Sequence, residues 1–232
     1  EKLKDQIYIE IINESTNQER LQGHLRKNVI GTDLAAVMYI YFQNEKREDG
    51  KILVCAWMAR QWQTDPEILF QMAFENTVAQ IPVYISGLKD MLSGQPAKSL
   101  QEFYCEKDAL YVLSNMTVNG GATALIYPGV LQTLADNCQS GFYILPSSVH
   151  EVLLMRDDGK MEDWELQRLV RDINRSIVLT AEEILSDRVY HYDREEQSLS
   201  MAAIPERTEE ELGFIKGFSG EWEENPDVEL ER

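Results

Sequence analysis

YILPSSVHEVLLM, residues 143–155, sets two serines, a histidine and a glutamate between two apolar runs. Read as chemistry, Ser147 or Ser148 is a nucleophile, His150 its base, and Glu151 or a distant aspartate the orienting group. The spacing opposes this. No G-x-S-x-G elbow lifts a serine above a helix, and adjacent His150 and Glu151 point to opposite faces of a strand. A zinc helix requires H-E-x-x-H, and Leu154 stands where the second histidine belongs. The structural reading is the stronger. Residues 143–145 end one strand, Pro146 and the serines turn the chain with hydroxyls on local backbone groups, and residues 149–155 leave as the next strand.

Working outward, DDG at 157–159 breaks the chain, and Leu166, Leu169, Val170 and Ile173 follow at helical spacing. Thr180 and Glu183 form a capping box ahead of a short helix, AEEIL at 181–185. VYHYD (189–193) and SLSMA (198–202) face each other across REEQ, with Tyr190, Tyr192, Leu199 and Met201 alternating with polar residues in a hairpin with one wet face.

Toward the N-terminus, ALYVLS (109–114) and ATALIY (122–127) read as short strands joined through NMTVNGG, and Pro128 opens a helix through Val130, Leu131, Leu134 and Ala135. Earlier, DLAAVMYIYF (33–42) and KILVCA (51–56) predict a β-hairpin across NEKREDG. TDPEILFQMAF (64–74) then predicts a helix with a cap at Thr64 or Asp65, Pro66 at its first position, and Ile68, Leu69 and Met72 on one face. QIYIEII (6–12) alternates as a half-buried strand. STNQERLQGHL (15–25) predicts a short amphipathic helix with Thr16 and Glu19 as its capping box. The order strand, turn, strand, helix occurs twice, without residue-level repetition.

Composition limits what such a chain does. With 44% hydrophobic residues among 232, it can bury a sizeable core. Forty acidic against 22 basic side chains leave a formal charge of -18, which repels phosphate backbones and anionic lipid, so neither nucleic acid nor a membrane is an expected partner. Cys55, Cys105 and Cys138 are odd in number and form no CxxC, which suggests neither a disulfide framework nor a zinc knuckle, and the expected compartment is the reducing cytoplasm. No apolar run approaches the ~20 residues that span a bilayer.

The segments ALYVLSN, NGGATALIYPGVL, FYILPSSVHEVLLM and LTAEEILSDRVYHYD, in this order, resemble a bacterial domain-of-unknown-function family from anaerobic gut bacteria. The similarity spans about residues 3–204. It implies a recognisable module and no functional residue. Members of the family carry further sequence before the point that matches Glu1, which implies a native N-terminal extension.

Other ionisable residues are weighed against plainer roles. His191 and Asp193, two apart on one strand face, could chelate a metal with Asp187, but no Cys or His cluster supports them and a solvated pair is the expectation. His24 sits near the end of the expected helix. SGQPAKS around Lys98 lacks the glycine that precedes a P-loop lysine, and NGGATAL is not G-x-G-x-x-G, so no metal or cofactor is expected. From Glu206 to Arg232 there are ten acidic and three basic residues, with Phe214, Phe218 and Trp222 spaced four apart. Gly213, Gly217 and Gly220 each weaken a helix there by about 1 kcal/mol. The expectation is a poorly ordered acidic extension; the alternative is a segment whose aromatics Phe214, Phe218 and Trp222 dock on this domain or on a protein partner while the carboxylates stay wet.

Together these readings predict an α+β fold of antiparallel hairpins with helices packed on one side, forming one domain over residues 1–204 and followed by an extension at 205–232. The expected role is a non-enzymatic cytosolic interaction or regulatory module of undetermined oligomeric state. The alternative is a hydrolase using Ser147, Ser148 and His150, with His191.

Overall fold

The computed structural model of the chain describes residues 4–43, 49–106, 110–117, 120–146, 148–160, 163–176 and 183–202. Its elements in order are β1 (Ile7–Asn13), β2 (Arg26–Asn28), β3 (Leu34–Gln43), β4 (Asp49–Leu53), α1 (Ala56–Gln61), α2 (Pro66–Gln80), β5 (Val83–Gly87) and α3 (Leu88–Leu92). There follow β6 (Leu110–Asn115), α4 (Val130–Cys138), β7 (Phe142–Leu145), β8 (Val152–Arg156), α5 (Asp163–Ser176), β9 (Tyr190–Asp193) and β10 (Ser198–Met201). Short 3₁₀ turns occupy Lys4–Gln6, Leu100–Glu102 and Gly121–Ile126.

Two antiparallel sheets carry the fold. In the first, β3 is central, with β1 along one side and β2 and β4 in succession along the other. The second has the order β10-β9-β7-β8-β6-β5. The stretch quoted above is the β7–β8 hairpin of this sheet, pairing Tyr143 with Met155 and Leu145 with Leu153. The expected β3–β4 and β9–β10 hairpins also form.

Strand alternation splits the second sheet's two faces. Phe142 and Ile144 enter the main core, which also takes Ile7, Ile9, Ile11, Met38 and Leu69 from the first sheet and α2. Tyr143, Leu145, Leu153 and Met155 meet Leu166 and Val170 of α5 on the opposite face. The α+β class holds, and α5 adds a helical layer that packing on one side did not include. Burying Leu166 and Val170 contributes about 1.5–3 kcal/mol each.

Local chemistry explains several boundaries. Asp65 caps α2 by accepting the Glu67 N–H at 2.7 Å, and Pro66 takes the first helical position, where no backbone donor is needed. The buried face is Leu69, Phe70, Ala73 and Thr77, while Ile68 is exposed. Apolar residues surround this helix, so periodicity could not select its inward face.

Other expectations are corrected. Residues 14–23 form successive turns rather than a helix. Asn13 Oδ1 accepts the N–H groups of Ser15 and Thr16, each at 3.0 Å, and holds the chain in an Asx turn that displaces the Thr16 capping box. His24 therefore ends no helix and instead pairs in a bridge with Cys55. Residues 122–127 are not a strand, so the second strand-turn-strand-helix unit does not form. Their span lies mostly in the 3₁₀ segment Gly121–Ile126, where Ala122 and Ala124 are fully buried. A short, wholly buried apolar run has no face for periodicity to reveal. Thr180 lies outside the described residues, and Ile184 pairs with Ser148 in a bridge rather than continuing a helix.

β1 was expected to be half buried and is enclosed on nearly every residue. Its outward N–H groups at Ile9 and Ile11 are taken by Thr77 Oγ1 of α2 at 2.8 Å and Thr123 Oγ1 at 3.1 Å. These hydroxyls seal an edge that would otherwise leave backbone donors unpaired in the core.

Cys105 and Cys138 form a disulfide with Cα atoms 5.0 Å apart, while Cys55 is free and buried. This corrects the reading of the cysteines as unpaired. Their spacing carries no pairing signal, and the fold alone brings the C-terminus of α4 to Cys105. The Cys105–Cys138 bond removes the ground for expecting a reducing cytoplasm. Among the described residues, no helix is long and apolar enough to cross a membrane.

Candidate functional site

The site begins with one charge in an apolar strand. In IYIEII, Tyr8 and Glu10 are two apart and share one face of β1. Cross-strand pairing sets Tyr39 opposite Tyr8 and Lys51 opposite Tyr41, which gathers three tyrosines, a lysine and a glutamate on one face of the first sheet.

The Glu10 side chain is only 3% exposed. A carboxylate so enclosed needs partners, and two donor groups serve it through three contacts. Lys51 Nζ lies 2.8 Å from Oε1 and 2.7 Å from Oε2, and the Tyr41 hydroxyl donates to Oε1. Burial, with the Glu10 charge beside it, pushes the Tyr41 phenol far above the ordinary tyrosine range, so Tyr41 stays a donor. The Lys51 ammonium also sits 4.5 Å from the centre of the Tyr39 ring, whose hydroxyl accepts from Arg20 at 2.9 Å.

Above this cluster opens a cavity of about 580 Å³ lined by Tyr8, Tyr41, Gly50, Lys51, Gln80, Ile81 and Thr117. Tyr8 and Tyr41 meet edge to face at 5.5 Å, and the Tyr8 hydroxyl donates to Gln80 Oε1 at 2.8 Å. Gly120, at φ +64°, closes the other side of Glu10, since a Cβ there would lie 2.6 Å from Glu10 Cγ. Two aromatic walls over an ion pair whose carboxylate is enclosed, with polar groups converging, are the usual makings of a small-molecule site. The signal for it in the sequence is Glu10 itself, an acid flanked by isoleucines.

A second cavity of about 500 Å³ lies between α3 and β6, near Lys98, Phe103 and Tyr104. Its Lys98–Asp90 pair, at 3.6 Å, is 47% and 42% exposed, so no buried charge marks it.

The residues singled out from sequence lie elsewhere and have separate partners. Ser147 lies outside the described residues, as do Phe214, Phe218 and Trp222. Ser148 is buried, and its Oγ accepts the His150 N–H at 2.9 Å, the local turn contact expected of it. His150 Nε2 lies 3.8 Å from Glu183 Oε1, and its carbonyl accepts from Ser114. His191 Nε2 lies 2.9 Å from Asp157 Oδ2, with its ring against Tyr143. Asp187 accepts from Asn174, and Asp193 accepts the N–H groups of Glu195 and Glu196. Among the described residues, no three His, Cys, Asp or Glu side chains gather as a metal site.

A second polar knot surrounds Asp33. It accepts from Asn13 and Ser186, each at 2.9 Å, and from the Tyr190 hydroxyl. Burial, reinforced by Asp33, holds the Tyr190 phenol well above its ordinary range. This knot ties the end of β1 and the start of β3 to β9.

A family model matches residues 1–194, a span that holds the whole cavity lining, both polar clusters and every strand but β10. The chain belongs to DUF5688, a family of unknown function. No curated protein and no solved structure matches this DUF5688 chain.

Proposed function

We propose that this domain is a non-enzymatic regulatory module that binds a small molecule in the cavity over Glu10 and Lys51. One observation carries the reading: a fully partnered, buried carboxylate lies beneath an open, tyrosine-walled cavity. Enclosing a carboxylate is a costly way to stabilise a sheet compared with apolar packing, which suggests a role beyond stability. The acidic segment after residue 204, with Phe214, Phe218 and Trp222, is where a protein partner would join this reading.

Ligand-observed NMR with a fragment library tests it. Fragments that bind should compete with one another, perturb Tyr8 and Tyr41, and lose binding in Tyr8→Ala. Fragments that bind equally well to Tyr8→Ala would place the site elsewhere.

A hydrolase is the second reading, favoured by the 2.9 Å contact between His191 and Asp157, a base beside an orienting acid. Fluorophosphonate labelling of Ser147 or Ser148, abolished by His150→Ala or His191→Ala, would establish it in place of the binding module. An unlabelled native protein would dismiss it.

A further inference from the structure

We infer that the cavity's ligand is a neutral, planar, carbonyl-bearing small molecule of the aromatic amide kind. This inference rests on the cavity being a binding site.

Charge balance comes first. The ammonium of Lys51 and the carboxylate of Glu10 already neutralise each other at 2.7 and 2.8 Å. An anionic ligand reaching Lys51 would sit beside the enclosed Glu10 carboxylate, within a chain of formal charge -18. A cationic ligand reaching Glu10 would meet the Lys51 ammonium. Either like-charge contact is unfavourable in a partly desolvated site, so the pair favours a ligand without net charge.

Hydrogen-bonding capacity sets the functional group. An ammonium has three N–H donors and the two Glu10 oxygens take at most two of them, leaving Lys51 at least one to offer. Gln80 accepts from Tyr8 through Oε1, so its NH₂ can serve a second acceptor. The hydroxyl oxygens of Tyr8 and Tyr41, each already donating its proton, can still accept. Two donors and two acceptors around one opening match an amide, which brings both a carbonyl and an N–H. The Tyr8 and Tyr41 rings and Ile81 supply apolar surface for a flat body.

Three probes of one shape and different charge test this: benzamide, benzoate and benzylammonium, titrated at millimolar concentration and followed by saturation-transfer NMR and tyrosine chemical shifts. Benzamide is expected to bind about tenfold or more tightly than either charged probe. Its binding should fall in Tyr8→Ala and in Gln80→Ala, two variants that leave the Glu10–Lys51 pair intact. A Tyr8-dependent preference for benzoate or benzylammonium would overturn the neutral class while leaving the cavity as a site. Absence of any perturbation at Tyr8 and Tyr41 by all three probes would overturn the cavity reading itself, and this inference with it.

Discussion

Lys51 holds both carboxylate oxygens of Glu10, at 2.8 and 2.7 Å, across 41 positions of sequence. Removing one member of a buried pair leaves the other charge unbalanced, at a cost of about 3–5 kcal/mol. Lys51 is 36% exposed and Tyr41 still donates, so Lys51→Met should fall at or below the lower end of that range. The double change Glu10→Gln with Lys51→Met should recover part of the loss, with a coupling of about 1–3 kcal/mol in urea unfolding. Simple additivity would mean that the two groups do not depend on each other.

The β1 edge depends on two hydroxyls. Thr77→Val or Thr123→Val leaves the N–H of Ile9 or Ile11 without its acceptor, and each should destabilise by about 1–3 kcal/mol. Serine at either position keeps the oxygen and should restore most of the loss. Amide exchange at Ile9 and Ile11 reads the effect directly: each valine change should speed exchange at its own partner.

The turn of the β7–β8 hairpin is tested by two substitutions of unlike size. Ser148→Ala removes the acceptor for the His150 N–H and should cost about 0.5–2 kcal/mol. At Gly121 a new Cβ would lie 2.0 Å from the His150 carbonyl oxygen and 2.1 Å from Ser114 Oγ, so the backbones must separate. Gly121→Ala should therefore cost about 1–3 kcal/mol or more, exceeding Ser148→Ala in the same thermal melt. The reverse order would show that the 3₁₀ segment is free to shift.

The disulfide spans 33 residues, and closing a loop of that length contributes about 3–4 kcal/mol by restricting the unfolded chain. Reduction, or Cys105→Ser with Cys138→Ser, should lower stability by that order. Thiol titration of the unfolded, unreduced protein should find one reactive thiol, from Cys55. Three thiols would refute the bond.

Alkaline pH should unfold the domain through its buried phenols. Burial pushes the Tyr127 phenol up to about 12, with its hydroxyl donating to the Ile81 carbonyl at 2.9 Å. An unfolded tyrosine ionises near its ordinary value of about 10. The folded state holds its proton more tightly, so this contribution is complete below about pH 10 and is lost as pH rises toward 12. Tyr41 and Tyr190 shift in the same direction. Tyr127→Phe should flatten the decline of melting temperature above pH 10, and an unchanged slope would assign the decline to other groups.

What was legible in the sequence consists of contacts between near neighbours. Asp65 and Pro66 start α2, Ser148 meets the His150 N–H two positions on, Asp157 takes the N–H of Gly159, and the β7–β8 hairpin closes across its own turn. Each is a property of a short peptide, so residue type and spacing alone specify it. Where two local signals competed, spacing was not enough: Asn13 turned a chain that Thr16 and Glu19 marked as helical.

The candidate site belongs to the other kind. Glu10 declares in sequence that a charge is placed among isoleucines, but not which groups balance it. Its partners stand 31 and 41 positions away, and the hydroxyls that close the same strand stand 68 and 112 away. The two cysteines likewise say nothing of each other across 33 residues. A buried polar group fixes only its need for a partner, since the cost of burial is the same whichever group meets it. Which group does so follows from strand register, and register is chosen by burial of both sheets at once, so the tertiary structure alone joined Glu10 to Lys51 and opened the cavity above them.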